Sequence, residues 1–363
     1  MRRKFYFVLL ILSVFLTACQ SSFGPDALNN THYAYNQSIV NTLNQQMLLN
    51  LVRLKYRDEA YFLKINSVTE SLTFGSSLGV GSELDLGVGG NLIKPSLGIT
   101  YSDRPTISYQ PLQGEDFLKS VLSPISLESL LVMTQSGWSI KRIFGLCVER
   151  INKLYNAPEA SGPTPEYEPR FKKFNRMLSI FRKLQRKGDM EIGASTNRDN
   201  SLMIQFENME SNRKMMTELS EMLNFTPTIT DELRVNISTN FLSPVPNQLT
   251  IRTRSISSIL FYLSQSVATP QSHIKEGLVT MAKDSEGVDF NWSQTPAGSV
   301  FDVKFSEFHP GDAFLTIPYR GYWYYIDDND LQSKSTFMLL MQLFNLQAGK
   351  PNFSAPTLTL PVR

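Results

Sequence analysis

Side chains suited to chemistry are few and scattered in this chain. Gly75-Ser76-Ser77-Leu78-Gly79 has the G-x-S-x-G spacing of a nucleophile elbow. That device needs a strand, a sharp turn and a helix, and here Gly-rich alternating sequence runs on past Gly79. The same stretch misses the dinucleotide fingerprint, because Leu84 and Leu92 stand where the third glycine belongs. His32, His273 and His309 show no H-x-x-x-H spacing, which leaves a zinc hydrolase without a ligand pair. Asp327-Asp328-Asn329-Asp330 is oxygen-rich but lacks the Gly and distal Glu of a calcium loop. Placed before Leu331, it suits the exposed amides of a helix start. Glu115, Asp116, Asp302 and Glu307 are carboxylates of the type a glycan hydrolase uses, but linear spacing does not establish their pairing. Cys147 shares an apolar helical face with Ile140, Ile143, Ile151 and Leu154, the setting of a small core side chain. No catalytic residue, metal site or cofactor is assigned.

The N-terminus is more specific. Arg2, Arg3 and Lys4 precede an apolar run from Phe5 to Leu16 broken only by Ser13. Twelve helical residues span about 18 Å, too short for a hydrocarbon core of roughly 30 Å. A basic start, a short apolar stretch and small residues make a secretory signal. Leu16-Thr17-Ala18-Cys19 then resembles the lipobox of bacterial lipoproteins. The resemblance implies cleavage before Cys19, which becomes the acylated first residue of the mature chain. In that family an Asp after the cysteine often retains the protein in the inner membrane. Gln20 stands there instead, so the resemblance implies the outer membrane, with the body facing the periplasm. Several acyl chains give stable anchoring where one is marginal.

Charge narrows the partners. The 363 residues hold 35 Lys+Arg and 33 Asp+Glu, and removing residues 1–18 leaves a mature chain near −1. Nucleic acid is not a natural partner for such a balance. The charge is segregated, since Lys141–Lys187 holds twelve Lys/Arg against four Glu. That excess suits a solvated helix face or, less simply, anionic head groups or a polyanion.

The elements expected to position these residues fall into four stretches: a signal (1–18), a polar tether (19–35), residues 36–187 and a mixed region (188–363). A helix is predicted over Gln37–Arg57 from Val40, Leu43, Met47, Leu51 and Leu54. From Tyr61 to Leu112 the period changes to two. Leu72, Phe74, Leu78 and Val80 alternate with Thr73, Gly75, Ser77 and Gly79; Leu84, Leu86 and Val88 form a second set; Leu97, Ile99 and Tyr101 a third. Seven of the 20 glycines fall between Gly75 and Gly98, so these strands are weak and prone to slip. Helices follow, opening at Pro124-Ile125-Ser126, at Ser139 and at Phe171, and a mixture of strands and helices completes an α+β fold. Five aromatics fill Tyr319–Tyr325, alternation setting Tyr322 and Tyr324 opposite Trp323 and Tyr325. A strand buried on both faces and one with an exposed aromatic face explain them equally.

The alternation over 70–110 fits either a soluble sheet packed on the helices or transmembrane strands. At most four strands are present, and an open sheet cannot cross a bilayer, so a membrane role requires several chains to close one barrel. The expectation is a non-enzymatic outer-membrane lipoprotein acting as a structural or assembly part of an envelope complex, of the secretion or transport kind. Cys19 is the anchor in outer-membrane lipid. Phe74, Leu78, Val80, Leu84, Leu86, Val88, Tyr322, Trp323 and Tyr324 are the candidate contacts with membrane, a second copy or an envelope protein. The alternative is a cell-wall-directed envelope hydrolase.

Overall fold

Period-two and period-3.6 apolar patterns each find a partner surface in an α+β fold. The computed structural model of the chain describes residues 25–83, 92–163, 165–194, 202–226, 231–242 and 245–348. They form two units, one within residues 1–60 and 118–363, the other spanning 61–117. Helix α1 (Pro25–Lys55) begins with a proline, whose missing N–H costs nothing in a first turn. The helix thus occupies most of the stretch expected to be a tether. Strands β1 (Leu63–Glu83) and β2 (Leu92–Pro111) form an antiparallel two-stranded sheet in the smaller unit, where at most four shorter strands were expected, the one around residues 84–88 lying outside the described residues.

Helices α2 (Glu115–Leu122), α3 (Leu127–Gln135) and α4 (Ile140–Cys147) follow. The Ser126 hydroxyl accepts from the Ser129 N–H at 3.1 Å and so caps α3. Next come β3 (Val148–Ile151), β4 (Leu154–Tyr155), α5 (Lys172–Lys187), β5 (Met190–Ala194), β6 (Leu202–Phe206), α6 (Arg213–Leu223), β7 (Leu233–Ser238) and β8 (Gln248–Thr253). The strands β3 to β8 make one sheet in the order β4-β3-β8-β7-β6-β5, antiparallel except for the pair β7–β8. Since this sheet draws strands from both sides of residue 188, the boundary expected there does not separate two units.

Alternation buries Leu202, Ile204 and Phe206 of β6 and Leu233, Val235 and Ile237 of β7. Helix α5 buries Phe174, Met177, Leu178, Phe181 and Leu184. The Phe181 ring lies 6.0 Å from that of Phe206 and 6.4 Å from that of Phe144, joining α5 to the sheet and to α4. The basic block is largely partnered: Arg176 grips Glu218 with two bonds of 2.6 and 2.7 Å, Arg170 meets Glu159, and Arg142 donates to Gln332 and Thr336.

Helix α7 (Ile256–Ser264), capped by Ser255, and the short α8 (Gln271–Lys275) lead to a three-stranded sheet, β9 (Lys304–Ser306), β10 (Ala313–Tyr319) and β11 (Tyr322–Asp327), ordered β10-β11-β9. Arg320 and Gly321, with φ of 47° and 84°, form the two-residue turn whose positive φ values match strand twist. Helix α9 (Leu331–Ala348) closes the described chain. The Asp330 carboxylate accepts from the Gln332 and Ser333 N–H groups at 3.1 and 3.0 Å, while Asp327 and Asp328 pair with Lys304 and Lys334. The acidic run therefore works as a helix cap and two ion pairs.

One helix ends where periodicity continues. Ile140, Ile143, Cys147, Ile151 and Leu154 are all buried, yet α4 stops at Cys147 and Ile151 and Leu154 face each other across the β3–β4 turn. The reason is Arg254, 1% exposed, just after β8. Its main-chain N–H donates to the Cys147 carbonyl at 2.7 Å. Its guanidinium donates to the carbonyls of Leu146 (3.3 Å), Val148 (3.0 Å), Asn156 and Ala157 (3.1 Å) and to the Ser161 hydroxyl (3.0 Å). The five N–H groups of an arginine are thus all used. Beside it the Asn156 amide donates to the Gly145 and Val148 carbonyls at 2.9 and 2.7 Å. These contacts take the carbonyls at the end of α4 and turn the chain into β3.

Replacing Arg254 with Met strands these acceptors in the core. The expected loss is about 3–5 kcal/mol of unfolding free energy in a urea titration, and a loss below about 1 kcal/mol would contradict the central place given to this contact.

Candidate functional site

The candidate residues fall in three places. Cys19, Leu84, Leu86 and Val88 lie outside the described residues. Phe74, Leu78 and Val80 lie in β1, and Tyr322, Trp323 and Tyr324 in β11.

In the hairpin the ladder sets Phe74 opposite Tyr101, Ser76 opposite Ile99, Leu78 opposite Leu97, Val80 opposite Pro95 and Ser82 opposite Ile93. Directly opposed positions share one face of an antiparallel pair. One face therefore carries the apolar row of both strands. The intervening positions pair Thr73 with Ser102, Gly75 with Thr100, Ser77 with Gly98, Gly79 with Ser96 and Gly81 with Lys94, a row of small and polar residues. Charged residues lie near both ends of this row: Asp103, Arg104 and Glu70 beyond Phe74 and Tyr101, Glu83 just beyond Ser82, and Lys94 on the polar row opposite Gly81. Among the described residues β1 and β2 pair only with each other, so each has a free edge. A one-residue bulge between Ile65 and Ser67 sets the register near the base. The G-x-S-x-G stretch lies inside β1, without the turn that an elbow requires.

The aromatic strand is sided differently from a simple alternation. Tyr324 and Ile326 are fully buried, while Tyr322, Trp323 and Tyr325 are half-buried. Tyr324 is thus a correction to the contact set, being committed within the chain. Its hydroxyl meets that of Tyr56, at the end of α1, at 2.5 Å, and the Tyr56 hydroxyl meets Nδ1 of His273 at 2.7 Å. Both phenols are buried, and desolvation raises their pKa values, so they stay protonated. Tyr319 donates to Asp58, and Arg320 reaches the same carboxylate at 2.9 Å. The Tyr319 hydroxyl holds the Asp58 carboxyl below its ordinary range, helped by the Arg320 guanidinium. Arg320 also lies over the rings of Tyr56 (5.2 Å) and Tyr319 (5.5 Å). The cluster ties the end of α1, helix α8 and the β10–β11 turn together, and it leaves Tyr322, Trp323 and Arg320 as the accessible part.

Trp323 stacks edge-on with His309, ring centres 4.5 Å apart, and Phe308 next to it is 80% exposed. Sequence spacing carried no sign of the partnership among Tyr56, His273 and Tyr324, which lie 217 and 268 residues apart.

Cys147 is completely buried and burial pushes its thiol up to about 12, the behaviour of a core side chain and not of a nucleophile. Glu115 and Asp116 start α2, where carboxylates favour the helix N-terminus. Asp302 donates its N–H to the Ser333 hydroxyl at 2.9 Å, and Glu307 is exposed. Among the described residues no group of three or more His, Cys, Asp or Glu is placed to hold a metal ion. No helix of the described residues is long and apolar enough to cross a membrane. No family model matches the sequence, and neither the curated proteins nor the solved structures compared with it contain a match.

Lys55, at the end of α1, is 6% exposed, and desolvation lowers its ammonium pKa to about 8 from 10.5. The unfolded chain then holds the extra proton between about pH 8 and 10.5, so this residue makes stability rise with pH across that window. Below pH 8 its full cost is present. A Lys55→Met variant is expected to be more stable at pH 7 by roughly 1–3 kcal/mol and to lose that rise. Urea midpoints at pH 7 and pH 10 read the effect, and a variant-to-parent difference that stays constant with pH would refute it.

Proposed function

We propose that this chain is an outer-membrane-anchored lipoprotein, held by acyl chains on Cys19, that serves as a structural or assembly component of an envelope complex of the secretion or transport kind. The observation that carries the reading is the hairpin. Its register gathers Phe74, Leu78, Val80, Leu97, Ile99 and Tyr101 on one face, interrupted by Ser76, sets small and polar residues on the other and, among the described residues, leaves each strand one free edge, in a segment whose glycines make it weak alone. An isolated two-stranded ribbon is marginal in water, so such a segment gains its stability from a partner or a membrane.

The lipobox resemblance at Leu16-Thr17-Ala18-Cys19 supports the compartment. Support for action by contact comes from the accessible set Tyr322, Trp323, Arg320 and Phe308, since exposed aromatics beside arginine are typical of interfaces. The buried phenol–imidazole cluster behind them holds that surface rigid.

Two measurements test the reading. Growth with radiolabelled palmitate is expected to label the parent protein and not Cys19→Ala, and the variant is expected to leave the outer-membrane fraction. Retention of label by Cys19→Ala would remove the anchor from the proposal. In mild detergent the acylated protein is expected to migrate as a particle larger than one chain, and a solitary chain would remove the assembly role.

A further inference from the structure

We infer that copies of this chain close a ring through their hairpins, β1 of one copy pairing with β2 of the next, so that the hairpins together form one β-barrel across the bilayer. This rests on the envelope-assembly reading above and names its partner, a second copy of the same chain.

The first argument is length. The row from Phe74 to Ser82 and from Ile93 to Tyr101 is nine residues per strand; Glu83 follows it at one end, Asp103, Arg104 and Glu70 lie two to four positions beyond the other, and Lys94 within it is at a position of the opposite, polar row. Transmembrane strands need about 9–11 residues. Nine residues rise about 30 Å along the strand, or roughly 23 Å at the usual barrel tilt, close to the ~25 Å apolar band of outer-membrane barrels. Phe74 and Tyr101 pair at one border of the band, where barrels carry aromatic girdles.

The second argument is backbone satisfaction. In hydrocarbon each unpaired N–H or C=O costs several kcal/mol, and an open ribbon has two such edges. Among the described residues the hairpin sheet has two strands and cannot close by itself, so its edges must meet other strands. Pro95 and Pro105 remove two donors from β2, leaving its other residues to carry the ladder.

The third argument selects the partner. From Ser67 to Glu83 the only charges on β1 are Glu70 and Glu83, while β2 carries Lys94 and Arg104 with the single acid Asp103. Pairing β1 with the β2 of another copy brings acid toward base at both ends of the band. A two-fold β1–β1 contact brings Glu70 toward Glu83 instead, and like charges across strands repel. The favoured contact is therefore head-to-tail, the kind that generates closed rings. All hairpins in such a ring share one register, so their apolar rows face lipid and the Thr, Ser and Gly rows line the lumen.

The test uses the full-length acylated protein from membranes. Differently tagged Thr73→Cys chains are co-expressed with chains carrying Gly98→Cys, Thr100→Cys or Ser102→Cys, all on the polar row, to cover the seam offset. Oxidation is expected to link the two tags in at least one pairing and not to link Thr73→Cys chains to one another. Native mass measurement is expected to find this chain alone in four or more copies, since about eight strands make the smallest filled barrel. In planar bilayers Leu78→Lys is expected to abolish conductance, whereas Ser77→Lys keeps it and shifts selectivity toward anions. A particle holding one copy with a different protein, or linkage among Thr73→Cys chains only, overturns the ring but leaves the assembly reading in place. A monomer overturns both. Equal tolerance of Lys at positions 77 and 78 overturns the membrane-facing assignment, with unchanged thermal melting of the remaining fold excluding simple misfolding.

Discussion

A cation buried without a carboxylate against it is the constraint on which the larger unit turns. Arg254 spends its five N–H groups on four carbonyls and a hydroxyl, and its ring neighbour Tyr262 lies 4.3 Å from the guanidinium carbon. Two of those carbonyls lie at the C-terminal end of α4 or just beyond it, where the helix dipole favours positive charge. Desolvation presses the guanidinium toward neutrality, yet an arginine stays charged in practice, so the surrounding carbonyls must stay in place. The arginine therefore fixes where α4 ends, how β3 meets β8 and how the turn carrying Asn156 to Ser161 folds over them. Glu149 enters only at second remove, accepting from Ser161 at 2.7 Å.

A comparable interlock organises the aromatic strand. The Tyr56 hydroxyl bridges His273 and Tyr324, and outside it Asp58 receives both Tyr319 and Arg320. Three segments distant in sequence are thereby pinned at their ends, where fraying is otherwise easiest. The neighbouring Lys55 is the energetic opposite, a buried ammonium whose desolvation lowers stability at neutral pH.

Much of the fold was legible in the sequence. Helices α3, α5 and α9 begin where apolar spacing and caps place them, because each start is governed by contacts local in the chain. The end of α4 was not legible, since Ile151 and Leu154 continue a helical spacing while lying on a hairpin, and the residue that stops the helix is more than a hundred positions away. Of the candidate contacts, Tyr322 and Trp323 stand at the accessible edge of β11, but Tyr324 was misassigned because alternation says which residues share a face and not which face is covered.

By itself the sequence determined that residues 70–110 alternate apolar with small residues and that the glycines weaken them, and its resemblance to a lipobox is confined to Leu16-Thr17-Ala18-Cys19. Alternation within a strand is intrinsic, because successive residues must point to opposite faces. Which strand pairs with which, and in what register, is not intrinsic. A shift of one residue would have set Leu78 against Ser96 or Gly98 and mixed the two rows. Only the tertiary structure decided that Leu78 opposes Leu97 and Phe74 opposes Tyr101, joining the runs around Leu78 and Leu97 into one two-sided ribbon. Register depends on pairing between residues some twenty apart, and that energy is invisible to any local window.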